Sequence, residues 1–201
     1  MSIITLVSGG LDSTLMSILV GEEGIQQLPL FIDYGQICKE QELNVCVSLH
    51  KKYGLPIPEV MDLKGFGNLI PSGLTDASCQ IYEDAFLPGR NLMFLLAACA
   101  YAYKKNANTV AIGLLSDEKH LFPDQTSEFV RQTQMLINYS MGKTINILTP
   151  LMHLNKSNVI KLAKLKNIDG TYSCHSGTEK PCGICVSCIE RINTIKELEE
   201  L

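Results

Sequence analysis

Two groups of residues in this 201-residue chain have types and spacings that suit chemistry. The first is the segment Ser8-Gly9-Gly10-Leu11-Asp12-Ser13-Thr14, which follows a short apolar run. Its glycines allow a tight turn whose successive N–H groups face an anion, and a helix starting there would add free N–H groups and a favourable dipole. Ser8, Ser13 and Thr14 would add hydroxyl donors. The segment therefore predicts a phosphate-binding loop, with every residue from 8 to 14 as a candidate contact.

The same segment excludes two other kinds of phosphate site. It lacks the Gly-Lys-Ser/Thr end of a Walker A loop, and it lacks the Gly-x-Gly-x-x-Gly of a dinucleotide site. Asp12 would repel a bare phosphate, which suggests a Mg²⁺ ion between the two. The alternative is a glycine-rich turn in which Asp12 or Ser13 only caps a helix. The complete string favours phosphate binding.

The second group is a set of four cysteines, Cys174, Cys182, Cys185 and Cys188, at tight-turn spacing. Four thiolates suit tetrahedral Zn²⁺, and a site closed by four thiolates is structural. An iron–sulfur cluster is the alternative, but its usual motif continues with a cysteine where this chain has Ile192. The remaining cysteines, Cys38, Cys46, Cys79 and Cys99, are scattered, which is not the pattern of a disulfide scaffold.

An alternation of strands and helices must position these groups. Apolar runs predict strands at residues 3–7, 28–33, 58–63, 109–113 and 145–148, and helical periodicity predicts helices at 13–20, 38–53, 91–105, 127–139 and 156–165. Residues 64–90 read as a long, functional loop. This order predicts one α/β domain over residues 1–201, a Rossmann-like parallel sheet with helices on both faces. The loops after Val7, Asp33, Gly113 and Leu148 should then converge on one ligand site.

Composition narrows the class of partner. A net charge of −4 argues against a protein that binds duplex nucleic acid, which would carry a basic face. The start of the chain has no basic region of a signal peptide, and the longest apolar run, residues 92–102, has about half of the roughly 20 residues that cross a bilayer. We therefore expect a soluble, cytoplasmic protein.

The loop string resembles the PP-loop of N-type ATP pyrophosphatases. In that class the loop holds pyrophosphate as a leaving group while a substrate attacks the α-phosphate of ATP and becomes adenylated. The resemblance implies an adenine nucleotide alpha hydrolase-like fold with ATP as cosubstrate. It also implies nucleotide contacts from residues 8–14 and from Asp33, Tyr34 and Gly113, near the ends of later strands.

Loop and cysteine tail together resemble one branch of this class, the 7-cyano-7-deazaguanine synthase (QueC) family. The other matching motifs are Asp33-Tyr34-Gly35-Gln36, Ser72-Gly73-Leu74-Thr75, Leu87-Pro88-Gly89-Arg90-Asn91, Ile112-Gly113, Phe122-Pro123-Asp124, Thr149-Pro150-Leu151, Leu154-Asn155-Lys156 and Tyr172-Ser173-Cys174. The resemblance implies conversion of 7-carboxy-7-deazaguanine, ammonia and two ATP into the nitrile preQ0, by adenylation first of the acid and then of the amide. It implies catalytic roles for Asp12, Arg90 and Lys156, and a homodimer. Taken alone, Arg90 and Lys156 would read as surface or salt-bridge residues.

The chain departs from the family pattern at loops expected near the active site. Ile37-Cys38 replaces a basic residue and histidine, Gln125-Thr126 replaces Cys-Arg, and Tyr172 replaces a tryptophan. A second hypothesis is therefore a QueC-like enzyme that forms a deazaguanine amide or attaches a deazapurine to a protein amine, as in a defence or modification system. A tRNA-modifying sulfurtransferase and a catalytically inactive zinc module are two further alternatives. The intact loop disfavours the inactive module, and no basic face or catalytic cysteine pair is evident for the sulfurtransferase.

Overall fold

The computed structural model describes residues 2–116, 118 and 120–200. In this part of the chain the strands are Ser2–Leu6 (β1), Gln26–Asp33 (β2), Glu59–Asp62 (β3), Thr109–Ala111 (β4) and Asn146–Leu148 (β5). The α-helices are Leu11–Glu22 (α1), Lys39–Lys52 (α2), Lys64–Leu69 (α3), Arg90–Lys104 (α4), Ser127–Met141 (α5), Lys156–Leu165 (α6) and Val186–Glu199 (α7). A 3₁₀ turn at Pro123–Gln125 precedes α5.

The strands form one parallel sheet in the order β3-β2-β1-β4-β5. Ile4 of β1 is in register with Leu28 of β2 on one side and with Val110 of β4 on the other. The chain therefore builds outward from β1 in one direction through β2 and β3, and then in the other through β4 and β5. The carboxyl ends of β1 and β4 form the switch point at which ligands bind in sheets of this kind.

Helices cover both faces of the sheet, as predicted. Successive residues of β1 point to opposite faces, so Ile3 packs in a cluster with Met16 of α1 and Val159 of α6, while Ile4 packs in a cluster with Leu95 of α4 and Ile137 of α5. A parallel sheet buried on both faces requires such apolar strands. The fold prediction of a Rossmann-like α/β domain is confirmed.

Two helices were not predicted. The segment expected as a long loop contains the short helix α3, and the cysteine tail continues into α7, a helix of 14 residues. The first helix also begins at Leu11 and not at residue 13, so Asp12 lies in its first turn. Among the described residues, no helix combines the length and apolar character that a membrane span requires.

Candidate active site

A cleft of about 740 Å³ opens over the carboxyl ends of β1, β2 and β4. Its walls come from the loop between β1 and α1, the start of α4, one face of α6, the segment 168–175 and the inner face of α7. The loops after β1, β2 and β4 meet here as the sequence predicted. The loop after Leu148 does not contribute to the lining.

Hydroxyl groups of the loop between β1 and α1 accept hydrogen bonds from backbone N–H groups of the same loop. The Ser8 backbone N–H donates to Ser13 Oγ at 3.2 Å, and the Gly10 N–H donates to Ser8 Oγ at 3.3 Å. Gly10 is the N-cap of α1 and supplies no side-chain cap. Because the first N–H groups of a helix have no intrahelical acceptor, the first turn of α1 presents donors to the cleft. The arrangement suits an anion such as a phosphate.

Gly9 fits the loop tightly against α2. Its φ is +80°, and a Cβ here would lie 2.8 Å from both the Cys46 nitrogen and the Glu42 carbonyl oxygen. A side chain is therefore excluded both by conformation and by space. At Gly113, after β4, a Cβ would lie 3.3 Å from the Ser13 nitrogen. The absence of side chains at both positions lets α2 and β4 approach the loop closely.

Three of the candidate nucleotide contacts do not line the cleft. Gly9 faces α2. Thr14 is buried and its hydroxyl donates to Gly10 O at 2.7 Å, so this hydroxyl is not offered to a phosphate. Asp33 is buried, with Oδ1 accepting from the Gly35 N–H at 3.1 Å and Oδ2 lying 3.6 Å from Lys64 Nζ. Ser8, Gly10, Leu11, Asp12, Ser13, Tyr34 and Gly113 do line it.

Lys156 lies between two carboxylates at one side of the loop. Its Nζ is 2.9 Å from Asp12 Oδ2 and 3.3 Å from Glu190 Oε2. Burial alone would lower the pKa of Lys156, but the two carboxylates outweigh it and raise that pKa. Lys156 is therefore a cation at neutral pH, held beside the loop by Asp12. Sequence reasoning missed Glu190 because it missed α7, which carries it.

The deep end of the cleft is polar and aromatic. The Arg90 guanidinium carbon lies 6.0 Å from the centre of the Tyr34 ring and 5.9 Å from that of Phe94, within cation–π range. Arg90 Nε and His175 Nδ1 are both buried, and neither has a hydrogen-bond partner among the described residues. Burial and the neighbouring Arg90 lower the pKa of His175 to about 4. This end of the cleft thus keeps unused polar groups for a ligand.

Glu42, on the first turn of α2, also lines the deep end. Gln36 Nε2 donates to Glu42 Oε2 at 3.2 Å, and the Gln36 side chain is itself fixed by the Tyr34 N–H and the Ile32 carbonyl. Burial raises the pKa of Glu42 to about 7, although hydrogen bonds from Gln36 and Cys38 oppose the rise. Nothing in the local sequence marks Glu42, because it reads as an ordinary helix-surface carboxylate.

The loop that departs from the family pattern is anchored beside Arg90. Asn91 donates from its side-chain nitrogen to the Asp124 carbonyl at 2.9 Å, and the Asn91 N–H donates to Asp124 Oδ2 at 3.3 Å. Gln125 Oε1 accepts from the Leu121 and Phe122 N–H groups at 3.0 and 3.1 Å. Gln125 therefore stabilises its own loop while lining the cleft, and it adds no charge there.

The four cysteines predicted as metal ligands come together. The sulfur atoms of Cys174, Cys182, Cys185 and Cys188 all lie within 4.8 Å of one another. Thiolates around a zinc ion lie about 3.8 Å apart, so little adjustment would be needed. The Cys182 N–H donates to the Cys174 sulfur at 3.3 Å, and the Cys185 N–H donates to the Cys182 sulfur at 3.4 Å. Such N–H donors stabilise thiolates, so the site could hold a metal ion.

The segment that carries the cysteine cluster contacts the loop between β1 and α1, called here the phosphate-type loop. The Tyr172 N–H donates to Gly9 O at 3.0 Å. Gly177 packs so closely on the start of α2 that a Cβ there would lie 2.9 Å from Ile37 O. Cys38, which replaces the family's histidine, is buried and packs with Tyr172 and the cysteine cluster. The segment that carries the cysteine cluster therefore packs directly against the walls of the cleft.

The parallel sheet with its cleft at the switch point, and the glycine-containing loop at the first strand–helix junction, are the features of the PP-loop ATP pyrophosphatase fold. Solved structures with this fold include a predicted subunit of a tRNA methyltransferase from Methanocaldococcus jannaschii, with a TM-score of 0.55 and 19% identity over 82% of this chain and 74% of that one. NMN synthetase from Francisella tularensis has a TM-score of 0.51 and 16% identity over 98% of this chain and 84% of its own. These structures share the fold alone.

The sequence comparison is more specific. The family model described as "Queuosine biosynthesis protein QueC" matches residues 2–199. The 7-cyano-7-deazaguanine synthase of Acetivibrio thermocellus is 34% identical over 96% of this chain and 92% of its own length. The protein of that name from Campylobacter jejuni is 32% identical over the same shares of the two chains. The chain belongs to the QueC family.

Proposed function

We propose that this protein is an ATP-dependent carbon–nitrogen ligase that adenylates 7-carboxy-7-deazaguanine and converts the adenylate with ammonia, releasing AMP and pyrophosphate. Through a second adenylation, of the amide, the product would be the nitrile, 7-cyano-7-deazaguanine. The observation that carries the proposal is the cleft itself, in which the N–H donors of α1 and the cation of Lys156 lie opposite the polar, aromatic end around Arg90. The names of the relatives support this activity, and the match covers nearly the whole length of each relative.

The two ends of the cleft have different roles. The loop N–H groups and Lys156 bind the β- and γ-phosphates and stabilise them as they leave as pyrophosphate. Arg90 binds the substrate carboxylate and holds it toward the α-phosphate, with the Tyr34 and Phe94 rings positioning the guanidinium. Attack by a carboxylate oxygen forms the P–O bond to the α-phosphorus and breaks the bond to pyrophosphate.

Magnesium and zinc fit the residues present. One carboxylate together with substrate phosphates is a usual donor set for Mg²⁺, and Asp12, at the edge of the loop, would supply that carboxylate once a nucleotide draws Lys156 away. Bound there, Mg²⁺ would neutralise charge on the departing pyrophosphate. The four thiols suit Zn²⁺ in a structural role.

A homodimer would cover the exposed side of α4, where Leu92, Leu96 and Tyr103 lie.

The altered loops support a second candidate, in which adenylation is retained and the acceptor is a different amine. Thr126, an uncharged N-cap of α5, stands where the family usually has arginine, and Ile37 is 38% exposed where the family has a basic residue. The amide, or a deazapurine amide on a protein amine, would then be the final product.

A product assay tests the proposal. Protein is incubated with ATP, Mg²⁺ and 7-carboxy-7-deazaguanine, with and without ammonia, and AMP, pyrophosphate and the deazapurine products are identified by mass. The nitrile supports the first candidate, whereas an amide alone, or mass added to a protein, supports the second. Absence of any acid-dependent pyrophosphate release would sink both.

Two variants locate the reaction in the cleft. Asp12→Ala is expected to abolish pyrophosphate release and leave the bound metal unchanged. Lys156→Met is expected to lower pyrophosphate release by at least about 100-fold, because a cation opposite the leaving group is lost. Lys161→Met, on the exposed side of the same helix, is the matched control and should behave as wild type.

A further inference from the structure

The four carboxylates that line the cleft are not equivalent. Asp12 and Glu190 both contact Lys156, and Asp169 contacts Lys52. Glu42 has no lysine or arginine nitrogen within 4.0 Å among the described residues, although Arg90 is close enough to influence it. Glu42 is therefore the cleft-lining carboxylate whose charge is not already neutralised by an ion pair.

Glu42 is also held beside the loop between β1 and α1. Its helix packs so tightly on the phosphate-type loop that its own carbonyl oxygen would lie 2.8 Å from a Cβ on Gly9. Gln36 fixes the carboxyl group with one hydrogen bond to Oε2. Because a carboxylate has about four lone-pair positions, further acceptor positions remain for a ligand proton.

We propose that Glu42 is a catalytic residue, the base that removes protons from the nitrogen nucleophile; this inference rests on the proposed function. In the first half-reaction, the lone pair of ammonia forms the C–N bond, the C–O bond to AMP breaks, and AMP leaves with that electron pair. The new nitrogen carries an excess proton, which passes to the Glu42 carboxylate. In the second half-reaction, the adenylated amide loses its last N–H proton to Glu42 as the C–O bond to AMP breaks and the nitrile forms.

The surroundings of Glu42 leave it as the group that titrates near neutral pH. The ionisable groups facing it are Tyr34, Cys38, Cys46, Arg90 and Tyr172. Burial raises the pKa of each of the two phenols and two thiols, so these stay neutral, and Arg90 stays charged. A base whose pKa lies close to the working pH is effective in proton transfer.

The test separates adenylation from nitrogen transfer. Exchange of labelled pyrophosphate into ATP, dependent on 7-carboxy-7-deazaguanine, reports adenylation of the acid and requires no nitrogen. Glu42→Gln keeps the size and the acceptor for Gln36. It should leave this exchange within about threefold of wild type and slow amide formation from ammonia by about 10²- to 10⁴-fold, the usual contribution of a general base. Glu40→Gln, an exposed glutamate on the same helix, is the matched control.

Other outcomes overturn the inference. Equal loss of exchange and amide formation would make Glu42 a binding residue for the acid or the nucleotide, and retention of both would give it no role. Failure of the wild-type protein to exchange pyrophosphate with the acid would instead refute the proposed function. A second measurement does not depend on the variant folding. At a constant concentration of free ammonia, wild-type amide formation should rise with pH through about 7 while the exchange does not. A flat profile would contradict the role of Glu42.

Discussion

Replacing Glu42 by glutamine should make the folded protein more stable above neutral pH, whatever Glu42 does in a reaction. Burial raises the pKa of this carboxyl group from 4.5 to about 7. Between these two values the folded state binds a proton that the unfolded state has released. The contribution of Glu42 to stability is therefore fully present below pH 4.5 and is lost as the pH rises through 7.

The size of the effect follows from the same two values. A rise from 4.5 to about 7 corresponds to about 3 kcal/mol of free energy of unfolding, lost by the wild type between pH 4.5 and 8. Glutamine cannot ionise and resembles the protonated acid, so Glu42→Gln should be more stable than wild type by about 1 kcal/mol at pH 5 and by about 3 kcal/mol at pH 8. In a chain of this size that is a rise in Tm of about 6–12 °C.

Urea unfolding of both proteins at pH 5, 6, 7 and 8 measures this difference. Thiol and metal effects are common to both proteins and cancel in the difference between their free energies of unfolding. Glu40→Gln is the control, because Glu40 is exposed and its replacement should produce no such pH dependence. A Glu42→Gln difference that is the same at pH 5 and pH 8 would refute the reasoning, because it would mean that the wild-type carboxyl group pays no desolvation cost on ionising.

Two other predictions concern the loop and the metal. Gly9→Ala should destabilise the fold by about 2 kcal/mol more than Gly24→Ala, measured by urea unfolding, because both glycines have positive φ but only Gly9 has backbone atoms within 3 Å of the added Cβ. Equal losses would contradict the close packing of α2 on the loop. If the four cysteines hold a metal as proposed, its chelation should lower both the melting temperature and acid-dependent pyrophosphate exchange, because the Tyr172 N–H supports Gly9. Loss of the metal with unchanged exchange would show that the cluster and the loop are independent.

Sequence reasoning succeeded where the chemistry is local. The glycines of residues 8–14 predict a turn between the first strand and the first helix, and the structure forms this turn, although the helix begins two residues earlier than predicted. The four cysteines are close in sequence, so their convergence follows from short turns. The strands are apolar because both faces of a parallel sheet are buried. Their apolar runs therefore predicted where the strands lie along the chain.

Sequence reasoning failed where the role of a residue depends only on tertiary packing. The apolar residues of α7 cover the rim of the cleft and not a core, and Ile192 and Ile195 remain 42% and 36% exposed, so the helix lacks a strong buried stripe. Glu190 was missed with its helix. Thr14 reads as one more hydroxyl of the loop, yet one turn of helix directs it back to Gly10 O. Glu42 is distinguished from Glu40 by the packing of α2 on the loop, which no local pattern encodes.

The position of the cysteine cluster gives a metal there a direct effect on the cleft. Cys174 lies two residues after Tyr172, whose N–H supports Gly9, and Cys188 lies two residues before Glu190, which contacts Lys156. A metal joining the two cysteines would therefore fix both the back of the phosphate-type loop and Glu190, the ion-pair partner of Lys156. Structural zinc sites contribute about 10–16 kcal/mol of binding free energy, as much as the whole stability of an ordinary domain. A metal bound at this site would thus hold both of these cleft walls in place.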